Sequence, residues 1–256
     1  MTIRAPVKDL ADGERVLPAE ESRYLVRVLR LEARDRFVAF DPDARTEADC
    51  VIVDPSPGGV RVKVEGTRPA QVTAKTRLAL VYALAKGDKV DAVVRDATEL
   101  GATDVILAQS ARSVVKLENT AERAAAKLNR WRRIAEQAAR QCGRADPPAI
   151  DGVYGWSAAL DRAADCAARF CLDPRAESGL GAALAPAVAR GASIAFAIGP
   201  EGGLSPDEVD VAAGKGFLRA SLGPFVLRTE TVAAAVLGAV RVLASTGVKS
   251  AETPRG

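Results

Sequence analysis

The sequence predicts an α/β protein: a parallel-sheet domain over residues 71–246, a smaller β-rich domain before it over residues 1–70, and a polar tail at 247–256. Three observations carry this reading. From Thr76 onward, short apolar runs alternate with stretches of helical periodicity, the pattern of strand–helix–strand units. Up to Ala70 the apolar runs are separated by Gly, Pro and Asp, and only one of them has helical spacing. Residues 194–208, IAFAIGPEGGLSPDE, read as a strand, a glycine loop and a helix start in direct succession. A chain of 256 residues that is 48% hydrophobic can bury one large core or two modest ones.

In the first domain, residues 22–31 predict a short helix. Arg36-Phe37-Val38-Ala39-Phe40 is a strand ending at the turn Asp41-Pro42-Asp43. Residues 48–53 form a second strand, 55–59 a loop, and 60–64 a third strand with period-two alternation. Gly66-Thr67-Arg68-Pro69-Ala70 reads as the linker.

In the second domain, residues 78–84 are a continuous apolar strand. Lys86-Gly87-Asp88 leads into a helix with Val90, Val93, Val94, Ala97 and Leu100 on one face, stopped by Gly101. Residues 104–108 are a second strand. Residues 119–141 are a long helix with Ala124, Leu128, Trp131, Ala135 and Ala138 inward, which makes Trp131 a core residue rather than a base-stacking one. A helix over 156–164, a strand over 169–172 and a helix over 179–190, interrupted at Pro186, follow. Taken alone, this alternation implies an open doubly wound sheet without a knot.

The chain is organised around the stretch after Ile194. Ile194-Ala195-Phe196-Ala197-Ile198 suits a strand buried on both faces. Gly199-Pro200-Glu201-Gly202-Gly203 makes a tight loop with unusual backbone angles. Ser205 then caps a helix, Pro206 takes its first position, and Glu208 completes a capping box. A second such passage follows. Gly223-Pro224 is a turn, Phe225-Val226-Leu227 a short apolar piece, and Arg228-Thr229-Glu230-Thr231 opens a helix with Thr229 as its N-cap. Val232, Ala235, Val236, Ala239, Val240 and Leu243 form its apolar stripe. Strand ends that run through glycine loops into helix starts present backbone N–H groups to a small ligand.

Several function classes are excluded or weakened. There is no histidine, which removes Ser-His-Asp and Cys-His catalysis. Cys50, Cys142, Cys166 and Cys171 are scattered without paired spacing, so no zinc site is expected and the thiols read as buried. No GxxxxGK[ST] occurs, and GPEGG near the C-terminus is not a dinucleotide fingerprint. No apolar stretch approaches a membrane span and residues 1–15 have no signal-peptide core, so a cytoplasmic location without a membrane is expected. Net charge is +3 but uneven: residues 112–144 hold nine Lys and Arg (Arg112, Lys116, Arg123, Lys127, Arg130, Arg132, Arg133, Arg140, Arg144) against Glu118, Glu122 and Glu136. That local excess suits either a polyanion surface or a solvated helix face.

IGPEGGLSPDE followed by LGPFVLRTET resembles the 16S ribosomal RNA uracil-N3 methyltransferase family of the SPOUT superfamily. Val26-Arg27-Val28-Leu29-Arg30-Leu31, Thr98-Glu99-Leu100-Gly101 and residues 131–144 (WRRIAEQAARQCGR) resemble the family in the same order. The resemblance implies an N-terminal PUA-like β-barrel that helps hold RNA. It also implies a C-terminal SPOUT domain whose last segment is tucked through a loop in a trefoil knot. It implies S-adenosylmethionine as cofactor, a homodimer, and 16S ribosomal RNA or the small subunit as partner; the absence of histidine and the scattered cysteines lead to no metal being expected.

By matching motifs, the cofactor is expected at Leu172 and Asp173, at Ile198, Gly199, Pro200, Gly202 and Gly203, and at Leu222, Gly223 and Leu227. Arg228, Glu201 and Glu230 are the catalytic candidates: Arg228 for the uracil anion, the carboxylates for the proton or the sulfonium, or else as helix caps or partners of Arg228. Arg4, Arg27, Arg30 and Arg112 are candidate RNA contacts. This chain departs from the family pattern in three places. Asp173-Pro174 stands where His-Pro is usual, Asp96 where a Lys precedes the Thr-Glu-Leu-Gly run, and Ser22-Arg23-Tyr24 where a His often precedes the Val-Leu-Arg motif. Two alternatives stand beside this reading. A ribose 2′-O SPOUT enzyme would carry an Asn that residues 99–104 lack, and a non-catalytic RNA-binding module fits poorly with intact glycine loops.

Overall fold

The computed structural model describes residues 3–56, 58–113 and 121–245, without the side chains of Ala121 and Arg123. The expected tail 247–256, the expected helix start at Asn119, and Lys116 and Glu118 of the charged stretch lie outside the described residues. The chain divides into two compact units: Met1–Thr73 with Glu136–Pro147, and Ala74–Ala135 with Pro148–Gly256.

The first unit holds β1 (Arg4–Pro6), β2 (Gly13–Val16), α1 (Ala19–Arg23), β3 (Arg36–Asp41), β4 (Thr46–Asp54) and β5 (Arg61–Pro69). The sheet order is β1-β3-β4-β5-β2, antiparallel except for β1 beside β3. Inward residues such as Ala5, Leu17, Leu25, Phe37, Ile52 and Val62 make one core. Two expectations change here. The short helix starts earlier, at Ala19, and continues as a π-helical turn over Tyr24–Val28. It ends with Arg30 at φ 55° and the Leu31 amide donating to the Leu25 carbonyl, a left-handed C-terminal cap usually given to glycine. The expected linker 66–70 is mostly strand. Gly66, at φ 65°, sits where the β4–β5 register shifts between Glu47 and Asp49, so it marks a bulge. Arg68 pins that bulge to Glu47 and Asp49.

The second unit is a six-stranded, all-parallel sheet in the order β11-β9-β10-β6-β7-β8. Its strands are β6 (Leu78–Ala83), β7 (Asp104–Gln109), β8 (Val153–Gly155), β9 (Ala168–Leu172), β10 (Ile194–Ile198) and β11 (Leu218–Ala220). β1, β2, β8 and β11 escape sequence reading because three or four residues are too few to show a period. Its helices are α2 (Lys89–Glu99), α3 (Ala121–Cys142), α4 (Trp156–Asp161), α5 (Leu180–Ala189), α6 (Pro206–Gly214) and α7 (Thr229–Ser245). In α3, residues up to Ala135 belong to this unit and those from Glu136 to the first.

Both faces of the sheet are covered, as the continuous apolar strands imply. One face carries bulky residues: Leu78, Leu80 and Tyr82 of β6, and Ile194, Phe196 and Ile198 of β10. The other carries small ones: Ala79, Val81 and Ala83, and Ala195 and Ala197. Trp131 is buried in the first cluster, as expected. Pro186 does not interrupt α5. It and Ala182, whose carbonyl loses a donor, both lie on the exposed side, where solvent can reach that carbonyl. The stripe of α7 also shifts. Thr229, Ala233, Val236 and Leu237 are its buried residues, Ala235 is exposed, and Val232, Ala239, Val240 and Leu243 pack at the edges of the core. α7 lies against α2 and α5.

All four cysteines are free thiols; Cys50, Cys166 and Cys171 are buried and Cys142 is half-buried. Among the described residues no helix is long and apolar enough to cross a membrane, and no cluster of three His, Cys, Asp or Glu could hold a metal.

Candidate functional site

Because β9, β10 and β11 run parallel, their carboxyl ends fall on one edge of the sheet. The loops that leave them enclose a cavity of about 540 Å³. Its apolar lining includes Leu172, Ile198, Leu204, Leu222 and Leu227, and its charged lining is Lys89, Arg112, Arg175 and Arg228 against Asp173 and Glu201. Four cations to two carboxylates, over an apolar floor, suit a ligand with an apolar body and an anionic part. Of the ten residues expected at the cofactor, nine line this cavity; Gly223, at φ 104°, does not. A second cavity, of about 370 Å³, lies at the amino end of β6 and β7, but its charges answer one another: Arg77 with Asp104, and Arg162 with Asp151.

The glycine loop after β10 is fixed from both ends. A Cβ on Gly199 would lie 2.8 Å from Leu204 Cγ and 3.1 Å from the Leu204 backbone nitrogen, so no side chain fits there. Gly203 has φ 69° and donates its amide to the Pro200 carbonyl at 2.8 Å, closing a turn that favours glycine. Arg112 Nη1 donates to the Gly202 carbonyl at 2.8 Å. The capping box is present: the Glu208 amide donates to Ser205 Oγ and the Ser205 amide to Glu208 Oε2. Glu208 Oε1 also accepts the Ala111 amide at 2.7 Å, which ties the loop after β7 to the start of α6.

Asp173, only 3% exposed at its side chain, joins the loops. It accepts the Arg175 amide at 3.0 Å, Arg175 Nε and Nη2 at 3.1 Å, and Arg219 Nε of β11 at 2.9 Å. Burial alone would raise its pKa, but the hydrogen bonds from Arg175 and the nearby charge of Arg219 outweigh it and hold the carboxyl below its usual value. Leu172-Asp173-Pro174 is thus a working part of the cavity wall, despite the residue change noted in its motif.

At the start of α7 the structure corrects two expectations. The Val232 amide donates to the Arg228 carbonyl, so Arg228, not Thr229, caps the helix through its backbone. Thr229 is buried, with its hydroxyl 2.7 Å from the Tyr82 hydroxyl and 3.2 Å from Glu230 Oε2. Glu201 and Glu230 do not pair with Arg228. Both face Lys89, whose Nζ lies 3.1 Å from Glu201 Oε1 and 3.6 Å from Glu230 Oε2. Arg228 is exposed on the cavity rim; Glu230 is half-buried and does not line the cavity. Lys89 and Tyr82 are the residues sequence reasoning missed. Lys89 carries a readable signal, a cation in the first turn of a helix, where the dipole disfavours it. Among the expected RNA contacts, Arg4 is engaged structurally, pairing with buried Glu47 at 3.1 Å and lying over the Phe40 ring. Arg27 and Arg30 are exposed in the first unit.

A model of the RNA methyltransferase domain matches residues 73–241, and a model of the RNA methyltransferase PUA domain matches residues 17–65. The ribosomal RNA small subunit methyltransferase E of Mycobacterium bovis is 33% identical over 231 residues, covering 90% of this chain and 87% of that protein. The chain belongs to this RNA methyltransferase family. Two solved structures are similar over nearly the whole chain. The ribosomal RNA small subunit methyltransferase E of Neisseria gonorrhoeae, bound to S-adenosyl methionine, has a TM-score of 0.84 at 26% identity, with 95% of this chain and 98% of that one covered. A methyltransferase of Legionella pneumophila, in complex with the same cofactor, has a TM-score of 0.83 at 28% identity, with 94% and 98% covered. The family implied by the two Gly-Pro loops is the one found.

Asp173→Asn tests the loop junction. Losing the charged hydrogen bonds should cost about 1.5–3 kcal/mol of stability at neutral pH. Asp173 is depressed in the folded state, so its contribution is full above the ordinary carboxylate pKa and fades as pH falls through the lower folded value. The difference between wild type and variant in urea melts should therefore be flat above about pH 5 and shrink toward pH 3. A pH-independent difference would remove the charge from the account.

Proposed function

We propose that this protein methylates N3 of a uridine in 16S ribosomal RNA of the small subunit, with S-adenosylmethionine as methyl donor. The observation that carries the reading is the cavity itself: two Gly-Pro strand ends and one Asp-Pro strand end meeting at one cation-rich, apolar-floored pocket in a chain of this family. The pocket fits the cofactor, since Gly199 lets Leu204 close under the loop and Gly203, in a left-handed turn with open space before it, leaves the backbone bare where a nucleoside must approach closely. Leu172, Asp173, Ile198, Gly199, Pro200, Gly202, Gly203, Leu222 and Leu227 would hold it, with Gly223 shaping the third loop. When bound, S-adenosylmethionine supplies the methyl group, whose bond to sulfur breaks with its electron pair left on sulfur as N3 takes the carbon.

The protein's own residues handle charge and orientation. Arg228, exposed on the rim, stabilises the uracil anion that forms as N3 loses its proton. Glu201 or Glu230 receives that proton. Arg27, Arg30 and Arg112 contact RNA phosphates, while Arg4 serves Glu47. Residues 1–70 form a PUA-like barrel that holds RNA, and 71–246 the methyltransferase domain. The insertion of β10 between β9 and β6, with α7 returning onto α2 and α5, supports a SPOUT trefoil knot. The protein acts in the cytoplasm as a homodimer, to which the partly exposed edge of α7, including Val242, contributes.

Four measurements test this reading. Ribosomal RNA nucleosides analysed by mass spectrometry should gain 3-methyluridine only when the active protein is present, and Arg228→Ala should slow single-turnover methylation by roughly 10²-fold with little change in cofactor affinity. Arg228→Lys should rescue poorly, because a point charge does not replace a planar fork; a stable Arg228→Ala variant with normal turnover would remove this residue. Gly203→Val strains a left-handed position by about 1–2 kcal/mol and should weaken S-adenosylmethionine binding in calorimetry; undiminished affinity would contradict the assignment of that loop. Sedimentation at micromolar concentration should give twice 26.8 kDa, and a monomer mass would exclude the dimer.

A further inference from the structure

The residues around Lys89 form one continuous polar chain across four elements. It begins at the Tyr82 hydroxyl, fully buried at the end of β6. It passes through Thr229 Oγ1 at 2.7 Å and Glu230 Oε2 at 3.2 Å, both on the first turn of α7. Lys89 Nζ, on the first turn of α2, bridges Glu230 Oε2 at 3.6 Å and Glu201 Oε1 at 3.1 Å. Glu201 Oε1 also accepts the Lys86 amide at 3.1 Å. One ammonium thus holds together the glycine loop after β10 and the start of the C-terminal helix, and it lines the cavity where they meet.

Glu201 and Glu230 converge on one point from two different elements, and like charges so placed repel unless a cation lies between them. Lys89 is that cation. The other charged groups on this rim are Arg228, just before α7, and Arg112, which is engaged with the Gly202 carbonyl. Among the described residues, no other Lys or Arg is within ion-pair distance of Glu201 or Glu230. A lysine at the first position of a helix opposes the helix dipole, so its placement is explained by the two carboxylates and not by α2.

We propose that Lys89 is a positioning residue for methyl transfer, which holds the carboxylates of Glu201, on the cavity lining, and of Glu230, at the start of α7, so that one of them can take the N3 proton of the target base. The inference rests on the proposed uracil-N3 reaction for its consequence, but the coupling itself belongs to the ligand-free protein. Proton balance is simple: the N3 proton moves to a carboxylate oxygen, the N3 electron pair is freed for the incoming methyl, and the carboxylic acid returns its proton to solvent. Consistent with the geometry, the hydrogen bond to Glu201 raises the Lys89 pKa, so the group stays an ammonium. Burial pushes Glu201 up, but its own amide and the Lys89 and Lys86 hydrogen bonds prevail and lower it. Tyr82 is pushed up to about 12 by burial and stays protonated.

The test uses Lys89→Met and Lys89→Arg in the full chain, with two readouts. The first is the carboxyl carbon titration of the glutamates by NMR in the ligand-free protein. In Lys89→Met one glutamate should titrate higher than in wild type by about one to three pH units, the reach of a nearby charge. Lys89→Arg should keep the wild-type curve. The second is single-turnover methylation of small-subunit RNA from pH 5 to 8. The ratio of Lys89→Met to wild-type rate should fall by at least tenfold toward acid, and the ratio for Lys89→Arg should stay flat. If Lys89→Met does not fold, Lys89→Gln carries the same expectation. Unshifted glutamate titrations, or a rate loss equal at every pH, would overturn the proposal and leave Lys89 a structural tie only. If the wild type transfers no methyl group, the reaction assigned above fails, and the NMR titration still decides the coupling.

Discussion

The cavity depends on one buried carboxylate. Asp173 lies at the end of β9 and is nearly inaccessible, a costly place for a charge unless its oxygens are satisfied. Arg175 and Arg219 satisfy them, and each brings a different part of the site with it. Arg219 anchors β11, from whose end the third loop departs. Arg175 closes back on its own loop and reaches the Leu204 carbonyl of the second loop at 3.5 Å. A single acidic group therefore registers all three strand ends. Both arginines are substantially exposed, so their removal would leave solvated cations, whereas removal of Asp173 undoes the junction itself.

That junction sits on a sheet whose two faces differ. Bulky side chains on one face pack beneath α2, α5 and α7, with Phe170 and Phe196 stacked at 5.7 Å between centroids. Small ones on the other face leave room for Trp156, which covers the alanines and donates to the Glu208 carbonyl at 3.0 Å. α4 is thereby tied to α6 just below the capping box, and the box in turn holds the loop after β7 through Ala111. Packing on the side away from the bulky core thus fixes where the glycine loop starts its helix.

The sequence made the second unit largely legible because its strands are buried on both faces and read as unbroken apolar runs, β10 above all. Ser205, Pro206 and Glu208 announced a helix start by chemistry local to four residues, and the structure has it as read. What failed was of longer range. Thr229 has the right chemistry for an N-cap, but the Tyr82 hydroxyl, 147 residues away in the chain, competes for its oxygen. Gly66 looked like a linker because a bulge and a linker both use glycine; only the pairing of β5 with β4 distinguishes them. The three-residue strands carry too little pattern to be found, and β11 matters to the site all the same. The order of the strands, with β10 inside β9, follows from no periodicity at all.

Cations at helix starts expose a more general point about the site. Arg228 caps α7 with its backbone, and Lys89 opens α2, so two positive charges stand where helix dipoles are least hospitable. Local rules are broken in stable proteins mainly where something else compensates or where function demands it. The two cases divide along that line. Lys89 is compensated within the fold, since Glu201 and Glu230 face it from two other elements. Because those carboxylates are engaged by Lys89, they are withdrawn from Arg228, and its guanidinium remains exposed on the cavity rim. One cation gathers the acidic groups while the other keeps its guanidinium exposed on the rim, an arrangement that depends on α2 and α7 packing side by side.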